Sequence, residues 1–463
     1  MATCSGSVSQ RFYMLAVFVW ASALQAGTWG PIAAAPEAAK SQFPGLTDAS
    51  ILTQLNLGPI VQMLFVPPAM ALLGSPRGLQ RCVRAGVLLG ASSAALRLLA
   101  ASLPSEVRAA PAGRWLLHGA SAACGASGGF LQGAPSRFSA VWFPPEQRAR
   151  ATGCAFVGLG LGQALCYAAC LLLTHGADDI TNFLLSQVVF AVPPLVCCFV
   201  YFPHAPRIGT HGHPAVASSV SPIQLSAFPE NEAGTGAGEG PTCEASCAAE
   251  DRQPQWLLAC AVLRRRSALL LMIVCSLANG PYQAWGAALP TILEHLKFSQ
   301  AQMDMLSLGS IFAYTVGCYA AGELGDRAFR GRFKALIMAL LLAALASFAW
   351  LCLMLPTHLR PQPLLPGSFL AVLLAVSLTG WFTGATNPLS VELCAEITHP
   401  VPEGVSGNLI IFITQGFTII FLFVVPMLSP LVATPLTTAI LVVCVLLLSP
   451  VREQYLRSIS EHS

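Results

Sequence analysis

About a dozen long apolar stretches, divided near the middle of the chain by one polar segment, constrain this sequence more than any other feature. Hydrophobic residues make up 55% of the 463 residues and charged residues only 10%, whereas a soluble domain carries about 25% charged residues. An α-helix needs roughly 20 apolar residues to cross the hydrocarbon core of a bilayer. It also satisfies its own backbone hydrogen bonds, which lipid cannot do. The sequence therefore predicts an all-α integral membrane protein.

The apolar stretches predict twelve transmembrane helices in two sets of six. The spans of the first set are 12–35, 51–73, 85–103, 116–138, 153–173 and 182–202, and those of the second set are 268–289, 303–324, 335–355, 368–392, 405–428 and 435–448. The chain thus divides into an N-terminal segment (1–11), a six-helix half (12–202), a linker (203–266), a second six-helix half (267–448) and a C-terminal tail (449–463).

The linker is rich in Gly, Pro, Ser, Ala and Glu and has no apolar period. Such a composition cannot bury a core, so the linker is expected to be largely disordered. It ends in an apolar segment, 256–263, followed directly by three arginines. That pattern is typical of a short amphipathic helix on a membrane surface.

Basic residues are distributed unevenly between the two sets of loops. The loops on the side of the termini hold many of them (Arg11, Arg77, Arg81, Arg84, Arg148, Arg150, the run 264–266, Arg327, Arg330, Arg332, Lys334, Arg452 and Arg457), and the other loops hold only Lys40, Arg108, Arg114, Lys297 and Arg360. Because cytosolic loops carry the excess of positive charge, both termini and the linker are predicted to be cytosolic.

Several classes of function are excluded by what the sequence lacks. There is no basic stripe with interleaved aromatic residues, as nucleic-acid binding requires. There is no P-loop and no nucleophile–base arrangement in a polar domain, which excludes an ATP-driven pump and an enzyme. The 16 cysteines are scattered, mostly in apolar helices, without metal-ligand spacing. We therefore expect no metal and no cofactor, and a monomer whose partners are the lipid bilayer and a small-molecule substrate.

Six spans, a cytosolic linker and six more spans are typical of the major facilitator architecture, in which two halves rock around a central site. The loop 325–332, GDRAFRGR, resembles the G-x-x-x-D-R-x-G-R-R loop of that superfamily. The resemblance implies that Asp326 caps a neighbouring helix end, and that Arg327 and Arg330 bind carboxylates and latch one conformation. Glu323 is expected to serve the same latch. The alternative for the arginines is ordinary anchoring at the membrane surface.

The stretch 392–404, ELCAEITHPVPEG, resembles the E-L-x-x-E-x-x-x-P-x-x-E-G signature of solute carrier family 49. This is the feline leukaemia virus subgroup C receptor-related family, a group of secondary transporters within the major facilitator superfamily. The runs GTWGPI at 27–32 and RARAT at 148–152 agree with it. The similarity extends from residue 12 to residue 457, with the linker excepted.

The chain resembles two branches of that family. The TWGPI run, Arg97, Arg114 with His118, and the PVPEG form resemble the fourth-member branch, described as a lysosomal, proton-driven exporter of pyridoxine (vitamin B6). The other branch carries choline and ethanolamine and was earlier linked to haem export. Family members also serve as virus receptors, so a non-transporting receptor or scaffold is a hypothesis of another class. The location is open between a lysosomal or other endomembrane and the plasma membrane.

The resemblance to the choline branch also implies binding residues. There, a Trp at the position of Trp29, which is predicted to lie deep in the first helix, and an aromatic residue at Tyr282 form a cage for a quaternary ammonium. A cation over an aromatic face gains about 0.5–2 kcal/mol. The alternative for both residues is packing at the interface or in the core.

Polar residues accompany the two aromatic ones. Asn279 and Gln283 flank Tyr282 in NGPYQAW, where Gly and Pro predict a break in the helix and a binding segment. Gln415 matches a site Gln of the choline branch, although a helix–helix hydrogen bond would also explain it. The fifth-helix Gln of that branch is unmatched: Gly160 stands there and leaves room for a ring, and Gln163 follows one turn later.

Two further residues are candidates for proton coupling. His118, near the start of the fourth span, has an imidazole that titrates near neutral pH. Arg97 is the only basic residue well inside a predicted span, where it must be paired or reach a water-filled cavity. The alternatives are a structural histidine and an arginine that extends outward to the membrane surface.

Three carboxylates, Glu392, Glu396 and Glu403, surround the predicted cytosolic loop between the tenth and eleventh spans. Few bases lie near them in the sequence. We expect them to receive arginines from the first half when the cytosolic side closes, and the candidates are Arg137, Arg148 and Arg150. The alternative is a solvated helix end.

Overall fold

A computed structural model describes residues 2–75, 77–174, 180–206, 255–357 and 360–462. In these ranges twelve long helices of 19 to 30 residues dominate, and no strand occurs apart from an isolated bridge between Thr357 and Arg360. The long helices are α1 (Ala2–Gly27), α2 (Asp48–Leu73), α3 (Gly78–Ser102), α4 (Pro111–Leu131), α5 (Arg148–Leu173), α6 (Ile180–Val200), α7 (Arg266–Ala287), α8 (Gln300–Arg327), α9 (Phe333–Met354), α10 (Phe369–Thr398), α11 (Glu403–Val424) and α12 (Pro430–Leu448).

Ten of the described helices are long and apolar enough to cross a membrane, all of the twelve except α1 and α4. Helix α4 is apolar through small residues: a Cβ at Gly125 would lie 2.3 Å from the carbonyl oxygen of Gly58 on α2, and one at Gly129 would lie 2.7 Å from Cβ of Phe65. Glycine thus lets α4 approach α2 closely and lowers the hydropathy of α4. The predicted all-α, multi-pass membrane fold is confirmed.

The two halves, α1–α6 and α7–α12, meet along two helix pairs, α5 with α8 and α2 with α11. Glycines make the first contact close. A Cβ at Gly153 would lie 2.7 Å from the carbonyl oxygen of Cys318, and one at Gly322 would lie 2.5 Å from that of Ala149. Small residues at helix contacts are typical of membrane proteins, where close packing replaces the hydrophobic effect. We call the whole contact between the two halves the seam.

The first helix differs from its predicted span. Helix α1 begins at Ala2 and ends at Gly27, and two short helices, Pro31–Ala34 and Pro36–Gln42, follow. Proline lacks an N–H and restricts the preceding residue, so each Pro starts a new helix rather than continuing the old one. Trp29 therefore lies in a break after α1, and the prediction that it lies deep in the first helix is wrong.

The seventh helix, in contrast, is continuous where a break was predicted. Helix α7 runs without interruption through Gly280 and Pro281, so the predicted break is absent. Gly280 serves packing instead: a Cβ there would lie 2.9 Å from Cβ of Phe417 on α11.

The side of the molecule that carries the described chain ends is called the terminal face. A short helix, Pro135–Trp142, follows α4 there and replaces the end of the predicted fourth span. Most of the predicted linker, 207–254, lies outside the described residues. The apolar segment before the three arginines forms a helix, Gln255–Arg264, which buries Leu258 and exposes Trp256. A last helix, Leu456–His462, lies close to α10.

Candidate functional site

A connected set of polar and aromatic side chains joins α7, α8 and α10. The amide nitrogen of Asn387 donates to Oδ1 of Asn279 at 2.9 Å and also to the hydroxyl of Tyr314. The hydroxyl of Tyr282 lies 2.7 Å from Oγ of Ser310. The rings of Tyr282 and Tyr314 are nearly parallel, with centroids 5.9 Å apart and an interplanar angle of 8°. Two predicted site residues, Asn279 and Tyr282, thus belong to one set, which we call the C-half cluster.

A second set surrounds Trp29. Its indole packs on Gly58 of α2, where a Cβ would lie 2.8 Å from Nε1. Trp29 shares a small cavity with Gln54, Arg97 and Ser121, and these four residues are called the N-half cluster. Arg97 is only 1% exposed. It points into the bundle, so the alternative in which it extends outward to the membrane surface is excluded.

The remaining predicted binding residues are less closely joined. Gln415 is buried on α11, and its Oε1 has no hydrogen-bond partner among the described residues. Gln283 and Gln163 are half-buried. Among the described aromatic residues, no ring contact joins Trp29 to Tyr282. In this conformation the predicted residues are therefore divided between the two halves.

Gly160 does not leave the expected room for a ring. Thr315 of α8 occupies the space that a Cβ at Gly160 would need, and its Oγ1 donates to the carbonyl of Ile311 at 2.7 Å. The glycine instead allows α5 and α8 to pack closely at the seam.

His118 is half-buried on α4. Its imidazole lies edge-on to the exposed indole of Trp115, with centroids 6.1 Å apart, and its Nδ1 has no partner in the described part of the chain. Its role in proton coupling stays a prediction.

Glu392 links the two halves at the terminal face. It is 1% exposed, and its Oε1 accepts hydrogen bonds from Oγ of Ser139 at 2.9 Å and from Oγ1 of Thr152 at 2.5 Å. Both hydroxyls belong to the N-terminal half. Its other oxygen, Oε2, pairs with Arg457 at 2.8 Å.

The arginine that serves most of these carboxylates comes from the chain's own C-terminal helix, not from the first half. Arg457 pairs with Oε1 of Glu396 at 3.0 Å, and the backbone N–H of Ser458 donates to Oε2 of Glu396 at 3.0 Å. Burial opposes the charge of the guanidinium, but the nearby carboxylates raise the pKa of Arg457 above its usual range. The expectation that Glu396 receives an arginine from the first half is therefore wrong.

Glu403 meets an arginine of the first half, as the sequence analysis expected. Its Oε2 pairs with Nη1 of Arg137 at 3.2 Å across the seam, and its carbonyl accepts from Oγ of Ser136 at 3.2 Å. The two paired side chains are 28% and 15% exposed, so water screens this pair only in part.

Asp326 has the capping geometry that the loop resemblance implied. Its two carboxylate oxygens accept from the backbone N–H groups of Ala149 at 3.3 Å and Arg150 at 2.8 Å, which lie in the first turn of α5. The first N–H groups of a helix have no partner within it, so Asp326 satisfies two of them from the other half. Arg148, also an expected gate residue, begins α5 and is buried.

Charged side chains surround this cap. Glu323 pairs with Arg327 on the same helix at 2.6 Å and with Arg150 at 3.4 Å. Arg330 pairs with Glu146 at 2.8 Å across the halves. In this conformation, bonds centred on Glu392, Glu403, Asp326 and Arg330 join the two halves at the terminal face, and we call this set of contacts the terminal gate.

Sequence reasoning missed several of these residues. Tyr314, Asn387 and Gln54 are polar residues inside apolar spans, and that alone was a usable signal, because such residues are costly in lipid unless paired. Arg457 gave no comparable signal. It was one charge in a tail, and only the fold brings that tail back to α10.

The fold and the paired halves define a major facilitator transporter. The family model described as Major Facilitator Superfamily matches residues 13–414, and the chain belongs to that superfamily. It is a transporter-family protein, not an enzyme.

Within the superfamily, the resemblance to solute carrier family 49 is confirmed by similar proteins. The chain is 25% identical to the Xenopus tropicalis protein named solute carrier family 49 member 4 homolog over 415 residues, which cover 88% of this chain and 83% of that protein. It is 23% identical to the Felis catus choline/ethanolamine transporter FLVCR1 over 89% of this chain and 67% of that protein.

Solved structures share the fold. The proton:xylose symporter XylE aligns with a TM-score of 0.67 at 12% identity, covering 98% of this chain and 99% of that one. The Escherichia coli fucose:proton symporter FucP aligns with a TM-score of 0.62 at 14% identity, covering 96% and 98%. At these identities the likeness concerns the fold alone.

Proposed function

We propose that this chain is a secondary active transporter of a small, pyridoxine-like aromatic solute, which works as a monomer by alternating access. The observation that carries the proposal is the C-half cluster: Asn279, Tyr282, Tyr314 and Asn387 form a hydrogen-bonded and stacked set inside membrane-spanning helices. Polar groups at that depth are costly and usually functional. A receptor or scaffold has no need of them.

The arrangement of the rings favours an aromatic solute over choline. A quaternary ammonium binds over an open aromatic face, whereas Tyr282 is only 9% exposed and packs beside the parallel ring of Tyr314, with centroids 5.9 Å apart. A planar solute ring can extend such a stack. Choline or ethanolamine remains the second candidate, because relatives from Danio rerio and Felis catus are named choline/ethanolamine transporters.

The resemblance to the fourth-member branch and the loop charges support a proposal for the location and the coupling. We propose that the terminal face is cytosolic, that the membrane is lysosomal or another endomembrane, and that His118 takes part in proton coupling. In the described conformation the terminal gate would then separate the solute site from the cytosol.

The test is uptake of labelled pyridoxine and of labelled choline by cells that display the chain at their surface, at acid and at neutral external pH. We expect pyridoxine uptake that rises at acid pH and is lost in Trp29→Ala. The control is Trp20→Ala, since Trp20 is an α1 residue that is 37% exposed and packs on Phe190. Choline uptake without pyridoxine uptake would favour the second candidate. Uptake of neither by a protein that reaches the surface would contradict the transporter proposal.

A further inference from the structure

A buried arginine in the N-terminal half lacks a counter-ion. Nη1 of Arg97 donates to Oγ of Ser93 at 2.8 Å and Nη2 to Oγ of Ser121 at 3.4 Å, while its Nε has no partner. Among the described carboxylates, none forms an ion pair with it. A guanidinium stays charged at every physiological pH. A charge buried in a membrane protein is costly unless it is paired or meets a polar cavity.

A second unsatisfied group faces the same space. Gln54 of α2 is 4% exposed and lines the cavity with Arg97, Ser121 and Trp29. Neither the oxygen nor the nitrogen of its amide has a hydrogen-bond partner in the described part of the chain. Buried polar groups in native proteins are nearly always paired with protein groups or with water, so the Arg97 Nε and the Gln54 amide mark one cavity where a further hydrogen-bonding group can bind.

We propose that the N-half cluster binds an oxyanion of the transported solute, a carboxylate or an ionised ring hydroxyl. This inference rests on the proposed function, since it assumes a transported solute, and it narrows the substrate class. A guanidinium offers parallel N–H groups that match an oxyanion, the Gln54 amide adds a further donor, and the Trp29 indole lies beside the solute's ring. A quaternary ammonium at Trp29 would instead meet the like charge of Arg97.

The cavity is small in this conformation, with room for about one water molecule. One wall is the stretch 29–33, in which Trp29 and Gly30 lie in the turn between α1 and the short helix Pro31–Ala34. Because the cavity is this small, binding of a solute's oxyanion requires this wall to move away from α2 and α3.

The test compares two ligands that share a ring and differ in charge, pyridine-3-carboxylate and pyridine-3-carboxamide. The readout is the rise in the thermal unfolding midpoint of the purified full-length protein as each ligand is titrated, which requires no transport. We expect the carboxylate to be effective at about tenfold lower concentration than the amide, because a charge-assisted hydrogen bond is stronger than a neutral one. In Arg97→Gln the two ligands should become equivalent, and Arg97→Lys should keep part of the preference.

Two further variants test whether a lost preference in Arg97→Gln reflects only misfolding. Arg81→Gln removes an exposed arginine of the same helix and should leave the preference unchanged. Gln54→Glu places a carboxylate beside Arg97, so it should raise the midpoint without ligand and abolish the preference for the carboxylate.

The outcomes separate this inference from the proposed function. Equal effects of the two ligands on the wild-type protein would overturn the inference, whatever pyridoxine uptake shows. Stabilisation by chloride or inorganic phosphate alone would also overturn it, because the site would then hold an inorganic ion. An Arg97-dependent preference without pyridoxine uptake would support the oxyanion site and contradict pyridoxine as the solute.

Discussion

Glu392→Gln tests whether the terminal gate holds the two halves together. One carboxylate oxygen of Glu392 accepts from Ser139 and Thr152 of the N-terminal half, and the other pairs with Arg457. The amide keeps the shape of the side chain but removes its charge. Only one of its two terminal atoms is an acceptor, so the bonds across the seam become neutral ones.

The magnitude follows from the two bonds across the seam. A hydrogen bond to a charged group contributes about 1.5–3 kcal/mol and a neutral one about 0.5–1.5 kcal/mol. Two such replacements weaken the closed state by about 2–3 kcal/mol, which is roughly a 30- to 150-fold change in the ratio of closed to open molecules. The bonds to Arg457 lie within the C-terminal half, so they add to its stability but not to this ratio.

The backbone N–H groups of Ala149 and Arg150 offer a direct assay. They lie in the first turn of α5, and their acceptor is Asp326 of the other half. Their hydrogen exchange therefore reports opening of the seam. We expect exchange at these two positions to be roughly 30- to 150-fold faster in Glu392→Gln than in the wild type.

The matched control is Glu396→Gln, one helical turn further along α10. Its described hydrogen-bond and ion-pair partners, Arg457 and Ser458, lie in the C-terminal helix, so this variant should lower stability and leave exchange at Ala149 and Arg150 nearly unchanged. If Glu392→Gln left that exchange unchanged, or if both variants accelerated it equally, Glu392 would not hold the seam.

Three further changes test other contacts. Arg457→Gln leaves two buried carboxylates without their cation and should cost about 3–5 kcal/mol of stability, measured as a lower thermal midpoint. Asp326→Asn weakens the cap of α5 by about 1 kcal/mol and should raise exchange at Arg150 about fivefold. Gly160→Ala should destabilise the protein by about 1–3 kcal/mol, because its Cβ collides with Thr315. Adding Thr315→Ala should restore the midpoint, and a failure to restore it would contradict that contact.

The membrane fold could be predicted from the sequence because it depends on apolar length, which lipid imposes locally on every helix. The helix ends were harder to predict. Apolar residues continue past Gly27, so a prediction based on hydropathy alone extended the first span beyond Trp29. The position of Pro31, which favours the start of a new helix, was the better guide.

The candidate site was only partly predictable, for a different reason. Residues inside a span, such as Asn279 and Tyr282, were visible as polar interruptions of an apolar pattern. Partners brought together by tertiary structure were not. Arg457 reaches Glu392 across 65 residues of sequence, and no local pattern pairs a C-terminal tail with a gate. The inference that Gly160 leaves room for a solute was wrong for the same reason. The space beside Gly160 is filled by Thr315, which comes from another helix.

Two of the buried arginines, Arg97 and Arg457, indicate how solute binding and gating are connected. Arg457 is 4% exposed and meets Glu392 and Glu396, so the terminal face is electrostatically satisfied when closed. Arg97 is 1% exposed and meets only hydroxyls. A ligand changes a conformational equilibrium only by interacting differently with the two states. If the solute's oxyanion pairs with Arg97 more strongly in the open state than in the closed state, this pairing contributes to the free energy that opens the terminal gate. A neutral analogue of the same ring should then bind weakly and leave exchange at Ala149 and Arg150 unchanged.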